Sequence, residues 1–226
     1  MKIKKYRKHN DFSYTLGTTL TIELLKTRPD LVTNVLYHSK MEKNNTYELI
    51  ESLCSGNSIP FENNDKAFNI LSEKENCYTI GQFKKFDCEL EEKSHVVLVN
   101  PANAGNLGTI IRTAIGFGIN NIGIIRPAVD IFDPKVIRSS MGAIFHLYFK
   151  YYESFEEYRS EFRKHHFYPF MLQGNLSLAD TVFDEPFSLI FGNEASGLPN
   201  EYQNYGQTVL IKHQNMIDSL NLPIAV

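Results

Sequence analysis

The sequence predicts an α/β protein in which a mostly parallel sheet is preceded by a smaller α/β domain. Short apolar runs alternate with helical patterns throughout the second half of the chain. A Gly/Asn-rich turn follows the apolar run at 96–99 and leads into an amphipathic helix. A polar stretch without periodicity, 91–94, separates the two halves. We therefore predict domains at residues 1–90 and 91–226.

The first half is predicted from the spacing of its apolar residues. This spacing predicts helices over 20–26 and 46–53 and strands over 32–37 and 77–83. Such an alternation is typical of a small α/β unit.

The second half contains six apolar runs that predict strands. They lie at 96–99, 122–125, 145–149, 168–172, 188–191 and 209–211. A helix is predicted over 107–117, because Gly118 follows its last periodic residue. Another helix is predicted to begin at Pro134, with Asp133 as its N-cap.

Composition excludes several classes of protein. Of the 226 residues 42% are hydrophobic, which is ordinary for a packed core. No apolar run approaches the roughly 18 residues that cross a bilayer, and we predict neither a membrane span nor a signal peptide. Three cysteines without a Cys-x-x-Cys pair predict reduced thiols, no metal site and a cytoplasmic protein.

The charge of the chain is unevenly distributed. A formal net charge of −3 disfavours a protein whose whole surface binds polyanions. Five cations nevertheless precede the first acidic residue, namely Lys2, Lys4, Lys5, Arg7 and Lys8. They are interpreted either as a basic arm that neutralises phosphates or as a solvated, frayed terminus.

A first candidate site segment is NPANAGNLGTIIRTA, which begins at Asn100. It places Asn106 at the turn after a strand and Arg112 about two helical turns further on. Backbone amides and a cation in this arrangement suit an anionic or polar ligand. The alternative is a simple turn with a solvated arginine on the helix.

A second segment, SLIFGNEASGLP, follows the strand predicted at 188–191. It delivers Gly192 and Glu194 into a loop. The alternative is a tight turn in which Glu194 caps the next helix.

A third segment, IKHQNMIDSLNLPIAV, begins at Ile211 and contains Ser219, Leu220 and Asn221 in a polar loop. The alternative is a helix N-terminus capped by Asp218 or Ser219, which explains the residue types without a ligand.

Taken in this order, the three segments resemble the motifs of the TrmH/SpoU family of RNA ribose methyltransferases, within the SPOUT superfamily. The matching stretches are NLGTIIR, GNEASGL and DSLNLPIA. The resemblance covers Val96 to the end of the chain and includes DIFDPKVIRSSMGAIF at 130–145. The first half, with TLGTTLTIELLKTRP, resembles the small substrate-binding domain of many family members.

The resemblance implies a fold, an activity and a cofactor. The fold includes a deep trefoil knot in the last third of the chain. The activity is methyl transfer from S-adenosylmethionine to a ribose 2'-hydroxyl of ribosomal or transfer RNA. Cofactor contacts are implied at the backbone of Gly192, Ile211 and Leu220, with Leu172 and Gln173 as further candidates.

The resemblance also implies catalytic roles for Asn106, Arg112, Glu194, Ser219 and Asn221. Methyl transfer is an in-line displacement, so holding the reacting atoms in line supplies most of the catalysis. We favour Arg112 as a clamp on a phosphate beside the target ribose, with proton loss assisted by Ser219 or water. The alternative makes Arg112 the base, although a guanidinium is effectively always protonated. The remaining three residues are expected to orient the arginine, the loops and the ribose.

Family resemblance further implies a homodimer with the knot region at an isologous interface. Three features depart from the family pattern. Leu222-Pro223 stands where members often have small residues after Ser-Leu-Asn. Lys212 and His213 stand where members often have Pro-Met. The chain ends at Val226, in what the family makes the opening turns of a final helix, so we expect that either the sequence is shortened or the site is incomplete.

Two alternative functions stay open. One is an RNA-binding protein that keeps the fold without catalysis, which the shortened helix and the altered 212–213 segment favour. The other is a nucleotide-dependent enzyme with an open sheet. The absence of a Gly-x-Gly-x-x-Gly run and of a Walker motif disfavours it.

Overall fold

The computed structural model describes residues 3–72, 76–214 and 219–226. It divides into two compact units. Unit 1 combines Met1–Phe86 with Asp130–His146, and unit 2 combines Asp87–Val129 with Leu147–Val226. The chain therefore passes between the units three times, whereas the sequence predicted one boundary at residue 90.

The helices and strands follow one another as expected for an α/β chain. In order they are β1 (Phe12–Leu16), α1 (Thr18–Thr27), β2 (Val32–Tyr37), α2 (Asn45–Gly56), β3 (Phe61–Asn63), α3 (Asp65–Leu71), β4 (Thr79–Lys84), β5 (His95–Val99), α4 (Ala104–Gly116), β6 (Asn121–Ile125), α5 (Pro134–Ser139), β7 (Tyr148–Tyr152), α6 (Phe155–Glu161), β8 (His166–Pro169), β9 (Leu176–Ser177), β10 (Phe187–Phe191), β11 (Val209–Leu210) and α7 (Leu222–Ala225). None of the helices in the described part of the chain has the length and apolar composition of a membrane span.

Unit 1 is built on a four-stranded sheet of order β1-β4-β2-β3. β4 runs antiparallel to β1 and β2, and β3 runs parallel to β2. Successive strand residues face opposite sides of the sheet. Val35 therefore packs with Leu25 of α1, whereas Leu36 packs with Tyr14 and Phe68 on the other side.

The segment 130–146 belongs to unit 1 because its aromatic side chains complete that core. The Phe83 ring lies 6.3 Å from the Phe132 ring and 5.3 Å from the Phe145 ring, centroid to centroid. The Ser13 hydroxyl donates to the Phe132 carbonyl at 2.6 Å. As predicted, α5 begins at Pro134, and the Asp133 side chain accepts a hydrogen bond from the backbone N–H of Lys135.

Unit 2 contains a five-stranded parallel sheet of order β7-β6-β5-β10-β8. Every residue of β5 and β6 is buried, as expected for central parallel strands covered on both faces. This confirms the mostly parallel sheet that the sequence predicts. Because β5 and β10 are neighbours, the loops at their carboxyl ends meet at one edge of the sheet.

Three predicted strands differ from the observed ones. The strand predicted at 145–149 lies at 148–152, because residues 143–146 form a 3₁₀ turn in unit 1. The strand predicted at 168–172 ends at Pro169. The strand predicted at 209–211 pairs with β9 in a separate two-stranded sheet. β1, β3 and α3 were not predicted from the sequence.

Candidate active site

The start of α4 is fixed by an asparagine that precedes it. Asn103 is the N-cap, and its side-chain oxygen accepts hydrogen bonds from the backbone N–H groups of Gly105 at 2.8 Å and Asn106 at 3.1 Å. The preceding turn contains Asn100 at φ 54°, a left-handed conformation that asparagine tolerates better than most residues. The chain thereby changes from β5 to α4 within a few residues.

The Glu194 carboxylate joins the loop after β10 to this helix start. It accepts hydrogen bonds from the backbone N–H groups of Ala102 at 3.2 Å and Asn103 at 3.1 Å, and from the Asn106 amide at 3.2 Å. Burial raises the pKa of the carboxyl, but these bonds, with one from its own backbone N–H, outweigh burial and lower the pKa below its ordinary value. The interpretation of Glu194 as a cap of the next helix is therefore wrong.

Asn193 ties the same two loops together a second time. Its side-chain N–H donates to the Asn100 carbonyl at 2.7 Å, and its side-chain oxygen accepts from the Ala195 N–H at 2.9 Å. The neighbouring Gly192 is required by the close approach of backbone. A Cβ at Gly192 would lie 2.1 Å from the carbonyl carbon of Gly197. The loops of the first two motifs are thus joined directly by hydrogen bonds.

A cavity of about 420 Å³ opens among the loops that follow β8, β10 and β11. Its walls are partly aromatic, and the Phe170 and Phe191 rings stack with centroids 4.4 Å apart. Glu194 supplies one carboxylate, and the described lining residues include no lysine or arginine. The cavity is therefore suited to a ligand that carries apolar surface and positive charge.

The structure brings most of the predicted cofactor and loop residues to this cavity. Its lining includes Gly192, Glu194, Ile211, Ser219 and Leu220, together with the further candidates Leu172 and Gln173. His213, which departs from the family pattern, also lines it, whereas Lys212 is exposed. The loop of the third motif thus reaches the loop of the second.

Three predicted site residues lie outside the cavity lining. Asn106 contacts Glu194 instead. Arg112 is exposed on α4 and makes no hydrogen bond or ion pair with residues 3–72, 76–214 or 219–226. Asn221 is the N-cap position of α7, and its side chain makes no cap bond within the described chain. α7 contacts α4, which connects the third motif to the first.

The alternative interpretation of the third motif fails at Ser219. The short helix begins at Leu222, with Asn221 at its N-cap, so Ser219 does not cap it. Asp218, the other candidate cap, lies outside the described residues.

Sequence reasoning missed the role of Asn103. An asparagine directly before a helical pattern is a recognised N-cap signal, but the predicted helix began at Leu107 instead of the observed Ala104. Its bond with Glu194 joins segments 91 residues apart in the chain, and sequence spacing alone does not reveal that contact.

One family matches more than half of the chain. Residues 93–226 match the SpoU rRNA Methylase family. The chain belongs to this family. Membership confirms the resemblance noted from the three motifs, and the matched range contains all eight predicted site residues.

Among the relatives of this SpoU-family chain is the 23S rRNA (uridine(2479)-2'-O)-methyltransferase of Streptomyces viridochromogenes. It is 33% identical over 134 residues, which are 56% of this chain and 47% of the relative. The chain spans about half the length of the first curated relatives that it matches.

Solved structures share the fold over a larger part of the chain. The SpoU methyltransferase AviRb from Streptomyces viridochromogenes, in complex with AdoMet, covers 95% of this chain and 86% of its own, with 22% identity and a TM-score of 0.81. A second solved structure, whose description refers to the 2-OH methylation of C/U34 on tRNA, is 30% identical to this chain. The match covers 59% of this chain and 89% of that one, with a TM-score of 0.55. The first likeness shows a shared fold over most of the chain, including residues that precede the range of the family match.

Proposed function

We propose that this SpoU-family chain transfers a methyl group from S-adenosylmethionine to a ribose 2'-hydroxyl of ribosomal or transfer RNA. The observation that carries the proposal is the cavity in which the second and third motifs meet, beside a helix start that Glu194 holds in place. The names of the relatives refer to 23S rRNA and to position 34 of tRNA, and so both RNA classes are included.

The cavity fits S-adenosylmethionine in size and charge. Its volume of about 420 Å³ lies within the roughly 300–1,000 Å³ typical of small-molecule sites. A lining with one carboxylate and no described lysine or arginine favours a sulfonium cation over an anionic ligand. Gly192, Ile211 and Leu220 hold the cofactor. When bound, S-adenosylmethionine supplies an electrophilic methyl group.

The protein side chains position the RNA for this transfer. Arg112, exposed and unpaired among the described residues, binds the phosphate beside the target ribose through its planar fork of donors. Asn106 and Glu194 keep α4 in place and thereby orient Arg112. Ser219 hydrogen-bonds the ribose hydroxyl, whose proton passes to water, and Asn221 orients the ribose.

A trefoil knot is part of the proposal. Its support is the close passage of the last part of the chain beside the loops after β8 and β10. A Cβ at Gly174 would lie 2.5 Å from the carbonyl carbon of Val209, and Met171 donates its backbone N–H to the Val209 carbonyl at 2.9 Å. Tracing the chain in an experimental map tests whether it threads a loop.

We also propose a homodimer that uses α4 and α7. These helices contact each other, and Phe117 at the C-cap of α4 and Ile224 of α7 are exposed, with 84% and 74% of their surface accessible. Apolar side chains this exposed favour a covered interface. Sedimentation at two concentrations, with Ile224→Glu as the variant, tests this proposal.

Unit 1 is proposed to bind the RNA substrate, and the protein is proposed to act in the cytoplasm. The location is supported by Cys54, Cys77 and Cys88, none of which forms a disulfide in the described part of the chain, as suits a reducing compartment.

The function is tested by calorimetry with S-adenosylmethionine and by transfer of a labelled methyl group to RNA. The Gly192→Ala variant places a Cβ 2.1 Å from the Gly197 carbonyl carbon, so the loop must move. We expect cofactor affinity to fall at least about tenfold, or about 1.4 kcal/mol, and methyl transfer to fall with it.

Gly116→Ala is the matched control. A Cβ at Gly116 meets nothing within 4 Å, and so affinity stays unchanged. A wild-type chain that binds RNA but not S-adenosylmethionine would support the non-catalytic alternative. Binding of a dinucleotide instead would support the nucleotide-dependent alternative.

A further inference from the structure

Unit 1 contains a second cavity, of about 250 Å³, that the methyl transfer does not use. It lies among the N-terminal residues, β1, the end of α3 and α5. Its apolar surface includes Leu16, Leu71 and the ring of Tyr14. Three cations, Lys5, Lys135 and Arg138, also line it.

The N-terminal segment is anchored on unit 1. Ile3 and Tyr6 pack against the core, and the Tyr14 hydroxyl donates to the Lys4 carbonyl at 2.8 Å. The Lys85 ammonium donates to the Lys8 carbonyl at 2.8 Å. The interpretation of this segment as a frayed terminus is therefore wrong for residues 3–8, and Lys5 has a fixed place at the cavity.

The three cations are free to meet an anion. Lys5, Lys135 and Arg138 are exposed, and none has a carboxylate at ion-pair distance within the described part of the chain. Asp133 is the single carboxylate of the described lining, and it accepts the Lys135 backbone N–H at 2.8 Å. The cavity thus carries an excess of positive charge above an apolar surface.

We propose that this cavity binds one nucleotide of a single-stranded RNA segment. The phosphate lies against the three cations, and the base lies on the apolar surface of Leu16, Leu71 and Tyr14. Single-stranded nucleic acid is recognised by this combination of a positively charged groove and apolar or aromatic surface for the base. The choice of RNA as the polymer rests on the proposed function.

The apolar surface distinguishes this ligand from a simple phosphate ion. An inorganic phosphate uses the cations alone and gains nothing from Leu16 and Leu71, whereas a nucleotide uses both. A free mononucleotide shares this chemistry, and the experiment separates it from RNA.

The experiment measures binding of a fluorescein-labelled eight-nucleotide oligouridylate to the full chain by anisotropy at several salt concentrations. We expect Lys135→Glu/Arg138→Glu to lower affinity at least about tenfold. The slope of log affinity against log salt should fall by about 0.7, which is the contribution of one phosphate contact on a single strand. Lys5→Glu, on a separate segment, should give a smaller loss, and this variant keeps the test valid if α5 is disturbed.

Lys26→Glu is the matched control. Lys26 is an exposed lysine of α1, which packs on the opposite face of the same sheet. The Lys26→Glu variant should bind RNA as tightly as the wild type does. Calorimetry with S-adenosylmethionine on all variants should give unchanged affinity, because the altered residues lie outside the unit 2 cavity.

The outcomes separate the two proposals. RNA binding without cofactor binding in the wild type would overturn the proposed function but not this cavity. Unchanged RNA affinity in both cavity variants, or an equal loss in Lys26→Glu, would overturn the cavity proposal alone. So would a wild-type chain that binds uridine monophosphate as tightly as the oligonucleotide.

Discussion

Arg112 and Glu194 lie in opposite environments. Glu194 is engaged by backbone N–H groups and an amide, whereas Arg112 extends from α4 without a partner among the described residues. A carboxylate that already accepts several hydrogen bonds stabilises the segments that donate them. An unpaired guanidinium is available for a ligand. We therefore assign positioning to Glu194 and RNA binding to Arg112.

Replacing Arg112 tests this assignment. We expect Arg112→Ala to slow methyl transfer about 100-fold or more, because the phosphate clamp is lost. Cofactor affinity should stay within about twofold, since Arg112 does not line the unit 2 cavity. The measurements are single-turnover methyl transfer and calorimetry.

Arg163→Ala is the control for charge. Arg163 is exposed in unit 2 and donates to the Ser160 carbonyl at 3.0 Å. Arg112→Lys keeps the positive charge but removes the planar fork of donors. We expect this variant to retain only part of the wild-type rate. Full activity in Arg112→Ala would remove this residue from the mechanism.

At the scale of the elements, the residue that caps the start of α4 also bonds to the candidate site. Asn103 satisfies two free N–H groups at the start of the helix and also gives its own N–H to Glu194. Loss of its side chain therefore weakens the helix and loosens the platform that carries Arg112.

Two asparagines, the N-caps of α4 and α2, test the contribution of the α4 cap to methyl transfer. Asn103→Ala should cost about 1 kcal/mol of unfolding free energy and slow methyl transfer at least about fivefold. Asn44, the N-cap of α2, likewise accepts two backbone N–H groups, from Thr46 and Tyr47. Asn44→Ala should cost a similar free energy with no change in rate. Equal slowing in both variants would show that stability alone matters.

The success of the strand predictions depended on where the apolar residues pack. Residues 96–99 and 122–125 were predicted almost to their ends, because every side chain of these central strands is buried and the apolar run matches the strand. Phe145 misled the prediction, since its ring packs on Phe83 of unit 1 and not within a strand. A local pattern does not reveal which distant core a side chain joins.

The candidate site was predictable to a similar degree. The resemblance of the motifs to the TrmH/SpoU family pointed to Gly192, Ile211 and Leu220, which line one cavity. The bonds from Glu194 across to Ala102 and Asn103 were not predictable, because they depend on β5 and β10 being neighbours in the sheet. Sheet order is a property of the whole chain.

Across unit 2, a chain of buried hydrogen bonds links two histidines. His95 contacts the Tyr158 hydroxyl at 2.8 Å, Tyr158 contacts Ser188 at 2.7 Å, and Ser188 contacts His165 at 2.8 Å. Burial lowers the pKa of His95 to about 4, and burial also lowers the pKa of His165. Both rings are therefore neutral in the folded protein at neutral pH.

This network predicts loss of stability in acid. Above pH 6.5 the ring is neutral in both states. As pH falls from 6.5 towards 4, the unfolded chain takes up a proton that folded His95 does not, so the free energy of unfolding falls. We expect a loss of about 2 kcal/mol between pH 7.5 and 5 from His95 alone, measured by urea unfolding.

His95→Gln should flatten this pH dependence, even if its stability is lower at every pH. His9→Gln is the control, because His9 is exposed. Parallel curves for wild type and His95→Gln would show that another group causes the acid loss.

The return of residues 130–146 to unit 1 has a consequence for genetic dissection of this protein. Neither unit corresponds to an uninterrupted stretch of codons. A gene fragment cut after residue 86 would deprive Phe83 of the Phe132 and Phe145 rings, and one beginning at residue 87 would carry those aromatic side chains without their partner. Recombination at a single crossover therefore cannot exchange either unit intact.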